Sequence, residues 1–229
     1  MDKASFKLSV IIPAYNERGT IAEILSRVRA QPFDKEIFVV DDGSTDGTGE
    51  LASREKDVIL LKHEQNRGKG AAIRTALEKV SGDFVLIQDA DLEYDPKDYA
   101  TLLGPLADGR ADVVYGSRFL GGPHRVLFFW HYAANRFFTL LTNVLYNVNL
   151  TDMGSCYKVF RSKVLKSIPL KSSGFGIEPE ITAKVCRRHL RIYETPISYS
   201  GRTYAEGKKI TWRDGFIYLF CLLRFRLFD

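Results

Sequence analysis

The feature that most restricts how this chain can fold is a rhythm in its first third. Short, wholly apolar runs each end in a polar cluster and are separated by segments of helical period. Leu8 to Ile12, Ile37 to Val40, Val58 to Leu61 and Phe84 to Ile87 are too short for helices. They also lack the alternation of a half-exposed strand, so they suit parallel strands buried on both faces. Between them, Thr20 to Ala30 places Ile21, Ile24, Leu25 and Val28 on one helical face. A second helix begins near Thr45 and Asp46 and runs through Leu51, and an alanine-rich helix covers Gly70 to Val80. Strand, helix, strand with short links dictates right-handed crossovers. The expected class is therefore α/β, with a mostly parallel, Rossmann-like central sheet flanked by helices. Ligands of such sheets bind at the carboxyl ends of the strands. Here those ends carry Pro13 to Glu17, Asp41 to Ser44, Asn66 to Gly70, and Asp89 to Asp91.

From about Gly116 the texture changes to an aromatic cluster at 128–132 and an apolar stretch with regularly placed polar residues up to Leu150. No glycine-, proline- or serine-rich linker intervenes. One domain over 1–229 is expected, with about 1–115 binding a donor and about 116–229 an acceptor, and 229 residues suffice for one core. The net charge of +5 favours anionic partners. Without a nucleic-acid motif, the partners expected are phosphorylated small molecules or an anionic membrane surface, and no nucleic acid. Cys156, Cys186 and Cys221 lie far apart without metal-ligand spacing, as reduced structural thiols of a cytoplasmic protein do. The polar segment Met1 to Lys7 leads straight into a strand and does not read as a signal peptide. The longest uncharged stretches, near 126–135 and 215–223, fall well short of the ~20 apolar residues that cross a bilayer.

Asp89-Ala90-Asp91 directly follows a hydrophobic strand. Two carboxylates there are too costly to bury unpaired, and with Glu93 they offer oxygen ligands to a hard divalent cation such as Mg2+ or Mn2+ that would bind a diphosphate. The alternative is a solvated loop capping the helix near Pro96. Ser44 to Thr48 reads as a capped turn. That account leaves Asp41 and Asp42 unexplained, and carboxylates there suit a nucleobase or ribose. Asn66-Arg67-Gly68-Lys69-Gly70 offers amides and cations at a helix start, either an anion site or a plain turn, without Walker spacing.

These segments, with Ser9 to Glu17 and Val39 to Gly47, resemble the inverting GT-A glycosyltransferases of family 2. Gly116 to Arg118, Asp152 to Phe160, Gly176 to Ile181, Arg202 to Lys208 and Trp212 to Gly215 narrow the resemblance to polyprenyl-phosphate sugar synthases of the dolichyl-phosphate mannose synthase type. Cys156 stands where the usual pattern has glycine. The resemblance implies metal-dependent transfer of a hexose from GDP-mannose or UDP-glucose to a polyprenyl or dolichyl phosphate. It implies that Pro13, Tyr15, Glu17, Val39 and the Asp41/Asp42 pair hold the nucleotide, and that Asp89, Ala90 and Asp91 serve the donor diphosphate. Asp91 and Glu93, with Asp89, match the metal positions. Arg118, Arg202 and Lys208 match cations that grip the donor phosphates, and Arg118, Arg136 and Thr139 match the acceptor-phosphate positions. Asp91, Arg118 and Arg202 are the implied catalytic residues.

A phosphate acceptor is already an anion and needs no general base, so cations should outnumber candidate bases. Glu178 and Glu180 are the base candidates if the acceptor were instead a glycan hydroxyl, and their other reading is helix capping. A catalytically silent nucleotide-sugar-binding module is the third possibility. Trp212 to Phe228 mixes bulky apolar residues with Arg213, Arg224 and Arg226, and suits either a membrane-interface helix or one docked on the core. Val126 to Tyr132 is a second candidate contact. The expectation is a protein at the cytoplasmic face of a membrane, docked peripherally or working with a separate membrane protein.

Overall fold

The structure, a computed structural model, describes residues 6–208 and 212–228; the side chains of Trp212 and Arg213 lie outside the described set. β1 (Lys7–Ala14), α1 (Ile21–Arg29), β2 (Asp34–Asp41), α2 (Thr48–Ser53), β3 (Val58–Lys62), α3 (Lys69–Leu77) and β4 (Phe84–Ile87) reproduce the expected alternation. There follow α4 (Tyr99–Ala107), β5 (Val113–Ser117), α5 (Phe129–Tyr146), β6 (Lys158–Arg161), α6 (Ser162–Ser167), α7 (Ile177–Arg187), β7 (Ile192–Pro196) and α8 (Trp212–Leu227).

The strands form one sheet in the order β3-β2-β1-β4-β6-β5-β7. β1 pairs in parallel with β2 and β4, β2 with β3, and β5 with β7, whereas β6 runs antiparallel to both β4 and β5. The reversal has a local cause. After β5 the chain spends 118–157 in α5 and its loops without crossing back to the opposite edge, so β6 must re-enter from the edge where β5 ended. That excursion brings the second half of the chain to the carboxyl rim. Pro13 is tolerated in a central strand because it lies beyond the last β1–β4 pair, Ile11 with Ile87.

Successive strand residues feed opposite cores. Val10, Ile12, Val39 and Leu86 pack with Ile24, Leu25 and Val28 of α1 and Leu102 and Leu106 of α4. Ile11, Phe38, Val40 and Ile87 pack on the other face with Ile73 of α3, Ile181 of α7 and Leu222 of α8. Three layers thus hold the rim rigid from below. Above it, α5 and α8 lie side by side, joined by the Tyr146 hydroxyl donating to the Leu222 carbonyl at 2.7 Å and by Phe138 against Tyr218. α8 docks Cys221, Leu222 and Phe225 and exposes Phe216, Ile217, Phe220, Leu223 and Leu227. The docked reading of this segment is thus met on one helix face, while the other face is exposed and apolar.

Candidate active site

The site begins where β1 and β2 end. Asn16 takes a left-handed backbone (φ 52°), which turns the chain so that its N–H donates to the Ser44 hydroxyl at 3.0 Å. Its amide oxygen accepts from the Thr45 N–H at 2.9 Å. Glu17 donates its N–H to the Thr48 hydroxyl, and its carbonyl receives the N–H groups of Thr20 and Ile21 where α1 starts. Tyr15 is left exposed beside this seam.

Asp41 and Asp42 diverge in use. Asp41 accepts from the Ser44 N–H at 3.0 Å. Asp42 is nearly buried and accepts the N–H groups of Arg67 at 2.9 Å and Gly68 at 2.7 Å, with the His63 ring 2.6 Å away. The 66–70 segment is thus an anion site after all, but the anion its amides hold is the protein's own Asp42. The two loops lie so close that Gly43 (φ +74°) has room for no Cβ: one would sit 2.6 Å from the Gln65 carbonyl carbon.

The exit of β4 supplies the acids. Lys69, at the first residue of α3, meets Asp89 at 2.6 Å and Glu178 at 3.2 Å. Asp91 accepts from the Glu93 N–H at 3.1 Å. Burial, and then the charges of Asp89 and Glu93, push the Asp91 carboxyl up to about 7 against the opposing pull of Arg202. Arg202 arrives from the loop after β7. Its Nη2 lies 2.7 Å from Asp91, its Nε 3.4 Å from Glu93 and its Nη1 3.5 Å from Glu17. Tyr199 fixes Glu93 from the other side at 2.8 Å. The loop continues through a short 3-10 turn, Tyr204–Glu206, closed by a capping box between Thr203 and Glu206. His131 at the start of α5 reaches the Tyr204 hydroxyl at 2.8 Å, which joins the aromatic cluster to this loop. Lys208 follows the turn, its N–H donating to the Thr203 carbonyl.

At the exit of β5 Arg118 makes a two-point contact with buried Asp152, Nε and Nη2 each at 2.7 Å, and Nη2 also reaches Asn135 at 3.1 Å. Nη1 is outside these bonds. Arg136 is exposed, stacked over Phe119 at 5.7 Å, with Nη1 3.3 Å from the Thr151 carbonyl.

Of the residues singled out in the sequence, Glu17, Asp89, Asp91, Glu93 and Arg202 come together at one rim. Two side chains are not brought there. Val39 is fully buried in the core beneath β2, and Thr139 is 3% exposed with its hydroxyl accepting from the Met153 N–H. Ala90 is also buried, so it can offer a ligand only its backbone.

Glu178 and Glu180 both fall in the first turn of α7, where acids suit the helix N-terminus, although the N-cap itself is Gly176 and no side chain caps the helix. Glu180 also accepts from the N–H groups of Lys171 and Ser172 in the preceding loop. Glu178 and Lys158 form a fully buried ion pair at 2.6 Å. Burial disfavours the Glu178 charge, but Lys158 and then Lys69 outweigh it and bring its carboxyl down to about 2. A carboxylate so held is a poor base for an acceptor hydroxyl. The chain Asp89–Lys69–Glu178–Lys158 was not apparent from sequence, because its members come from four separate elements.

The acids fit a hard divalent cation in donor chemistry, all oxygen, and the Asp91 carboxyl, raised first by burial and then by the charges of Asp89 and Glu93, is one whose charge a cation would favour. Among the described residues, however, no three or more His, Cys, Asp or Glu side chains are disposed to hold a metal ion. It is Arg202 that bridges the acids in this structure.

Comparison with known proteins follows the same lines. Residues 9–168 match the family described as Glycosyl transferase family 2. The chain is 32% identical over 213 residues to the low-salt glycan biosynthesis hexosyltransferase Agl6 of Haloferax volcanii, covering 91% of this chain and 51% of that protein. It is 30% identical to the dolichol-phosphate mannosyltransferase of Pyrococcus furiosus, covering 88% and 59%. It is 31% identical to the undecaprenyl-phosphate mannosyltransferase of Micrococcus luteus, covering 88% and 87%. The chain thus spans about half the length of the first of these relatives and most of the third. In fold it matches glucosyl-3-phosphoglycerate synthase from Mycobacterium tuberculosis, crystallised with Mn2+, uridine diphosphate and phosphoglyceric acid. The TM-score is 0.78 at 22% identity, over 99% of this chain and 81% of that one, and the likeness is one of architecture.

Proposed function

The chain belongs to glycosyl transferase family 2, and on that footing we propose that it moves a hexose from a nucleotide-sugar to a polyprenyl or dolichyl phosphate, with a divalent cation and with inversion. The observation that carries this reading is the meeting of Asp91, Glu93 and Arg202 at the rim, while Glu178, the base candidate, is locked in a buried ion pair. Two relatives are named for transfer of mannose to dolichol phosphate and undecaprenyl phosphate, which supports a polyprenyl-phosphate acceptor here.

In this mechanism Pro13, Tyr15, Glu17 and the Asp41/Asp42 pair seat the nucleoside, and Asp89, Asp91 and Glu93 would hold Mg2+ or Mn2+. When bound, the cation supplies charge compensation to the diphosphate. Arg202 and Lys208 take up the charge that grows on the departing nucleoside diphosphate. Arg118, through Nη1, and Arg136 align the acceptor phosphate. One of that phosphate's anionic oxygens attacks the anomeric carbon, and the bond from that carbon to the diphosphate oxygen breaks with its electron pair. No proton needs to be removed, so positioning and charge provide the rate.

A lipid acceptor requires contact with a membrane. No helix among the described residues is long and apolar enough to cross one. Yet α5 exposes Phe129, Trp130, Phe137, Leu140 and Val144, and the adjoining α8 exposes Phe216, Phe220 and Leu227. Arg136 and Arg224 lie on the same two helices. Apolar side chains flanked by cations suit peripheral docking at the anionic cytoplasmic face, alone or beside a membrane protein.

The test is transfer of radiolabelled hexose from a donor panel to polyprenyl phosphate with Mn2+ or Mg2+. Label should enter the organic phase only with cation, and Asp91→Ala and Arg202→Ala should each lose at least ~100-fold. Transfer solely to soluble hydroxyl acceptors, or undiminished rates in Asp91→Ala, would overturn the assignment. In a separate arm, flotation with anionic liposomes should carry the protein upward; recovery only in the soluble fraction contradicts docking.

A further inference from the structure

Arg202 occupies the electrostatic position of a cation. Its guanidinium faces three carboxylates drawn from two loops, Glu17 after β1 and Asp91 and Glu93 after β4. All four side chains are largely shielded, with 9–18% of each exposed, so the contacts are not a solvent-screened surface pair. The oxygens it engages are Asp91 Oδ2 and Glu93 Oε1, on two of the three acids assigned to the divalent ion. A hard cation needs its oxygens at roughly 2.1–2.5 Å. It cannot take those atoms while a guanidinium lies 2.7 Å from one and 3.4 Å from the other, because the two positive charges would share one small, poorly hydrated space.

We propose that Arg202 is a built-in counter-ion that competes with the divalent cation for Asp91 and Glu93 and lets go of them as the cation and the donor diphosphate load together. This rests on the metal reading above. The loop backbone is pinned, with the Ser198 N–H on Asp98 at 2.7 Å, the Ser200 N–H on the Glu93 carbonyl at 2.9 Å and the Arg202 N–H on Glu93 at 2.9 Å. The exchange is therefore a swing of the guanidinium about a fixed backbone. Once released, Arg202 has an anionic replacement for its lost carboxylates only if a diphosphate is present. Cation and nucleoside diphosphate should then bind with positive coupling, each raising the other's affinity by the same factor. A phosphate clamp that never touches the empty site has no such effect on metal binding alone.

The experiment measures Mn2+ affinity without donor by the loss of its free-ion paramagnetic resonance signal. With saturating GDP or UDP it uses equilibrium dialysis of radioactive Mn2+ against the same nucleotide concentration on both sides, which leaves only protein-bound Mn2+ as the excess. Wild-type protein should bind Mn2+ alone weakly and gain strongly from the nucleotide. Arg202→Ala should bind Mn2+ alone about 10-fold more tightly and keep only the part of the gain that direct contact between cation and diphosphate supplies. Arg202→Lys, whose single-point ammonium cannot bridge the acids, should fall between the two and serves if the alanine variant folds poorly. Mn2+ affinity equal to or weaker than wild type in both variants overturns the inference while leaving the metal reading intact. Absence of Mn2+ binding to any form, with nucleotide present, overturns both.

Discussion

Replacing Glu178 separates a structural acid from a catalytic one. Glu178 and Lys158 are each 0% exposed and 2.6 Å apart, and Lys158 also donates to the Met153 and Ser155 carbonyls and lies 4.7 Å from the Tyr115 ring centre. Glu178→Leu leaves the Lys158 ammonium buried without a counter-charge. Breaking such a pair costs about 3–5 kcal/mol. Lys69 loses the same carboxylate and adds to the cost only slightly, since it keeps its closer partner Asp89. At this chain length each kcal/mol moves the melting temperature by roughly 2–4 °C, so a fall of about 6–20 °C is expected. The double variant Lys158→Met/Glu178→Leu removes both charges and should recover most of that loss, because well-packed apolar replacements of a buried pair are often neutral. Thermal melts of the two singles and the double, followed by circular dichroism, give the coupling directly. The reasoning is refuted if Glu178→Gln melts within about 2 °C of wild type and yet abolishes transfer, for then the carboxylate acts on the reaction and not on the fold.

Three further outcomes are expected. Glu36 takes Lys7 at 2.8 Å, the Ser9 hydroxyl at 2.6 Å and the Ser81 N–H at 2.6 Å; burial opposes its charge, but these partners outweigh it and bring its carboxyl from 4.5 to about 2. A lowered folded value stabilises above the unfolded one, so up to about 3 kcal/mol should be present above pH 4.5 and vanish as pH falls toward 2; urea melts across that range should lose this slope in Glu36→Gln, and an unchanged slope contradicts the assignment. Asp42→Ala should cost about 2 kcal/mol and speed hydrogen exchange at the Arg67 and Gly68 amides, whereas unaltered exchange there would show that Asp42 does not hold the loop. Arg118→Lys should fail to restore the two-point contact with Asp152 and lower transfer at least ~10-fold at wild-type stability within about 1 kcal/mol, with full rescue by lysine as the contrary result.

The first half of the fold was legible because buried parallel strands leave an unmistakable trace: Phe84 to Ile87 is the observed β4, and Ile21 to Val28 fills α1. β6 was not legible. Lys158-Val159-Phe160-Arg161 is short and begins with a lysine, and only its buried partner Glu178, contributed by α7, makes that lysine admissible in the sheet. The site shows the same division. Residues at strand exits, such as Glu17, Asp91 and Glu93, announce themselves by following apolar runs, and Arg202 was found through its resemblance to a family pattern. Lys69 sat within a noticed segment, but its contact with Asp89 depends on how α3 meets the sheet, which no local spacing encodes. Val39 shows the converse: a residue can match a ligand-binding pattern while its side chain serves the core.

The most direct test of the account is a crystal structure of the protein with Mn2+ and a nucleoside diphosphate, using the anomalous signal of manganese to locate the ion. The account predicts one peak within about 2.5 Å of Asp91 or Glu93 oxygens, the diphosphate against it, and the Arg202 guanidinium turned from the acids onto the phosphates. A diphosphate bound away from the β1, β2 and β4 exits, or manganese elsewhere with Arg202 still on Asp91, would contradict it.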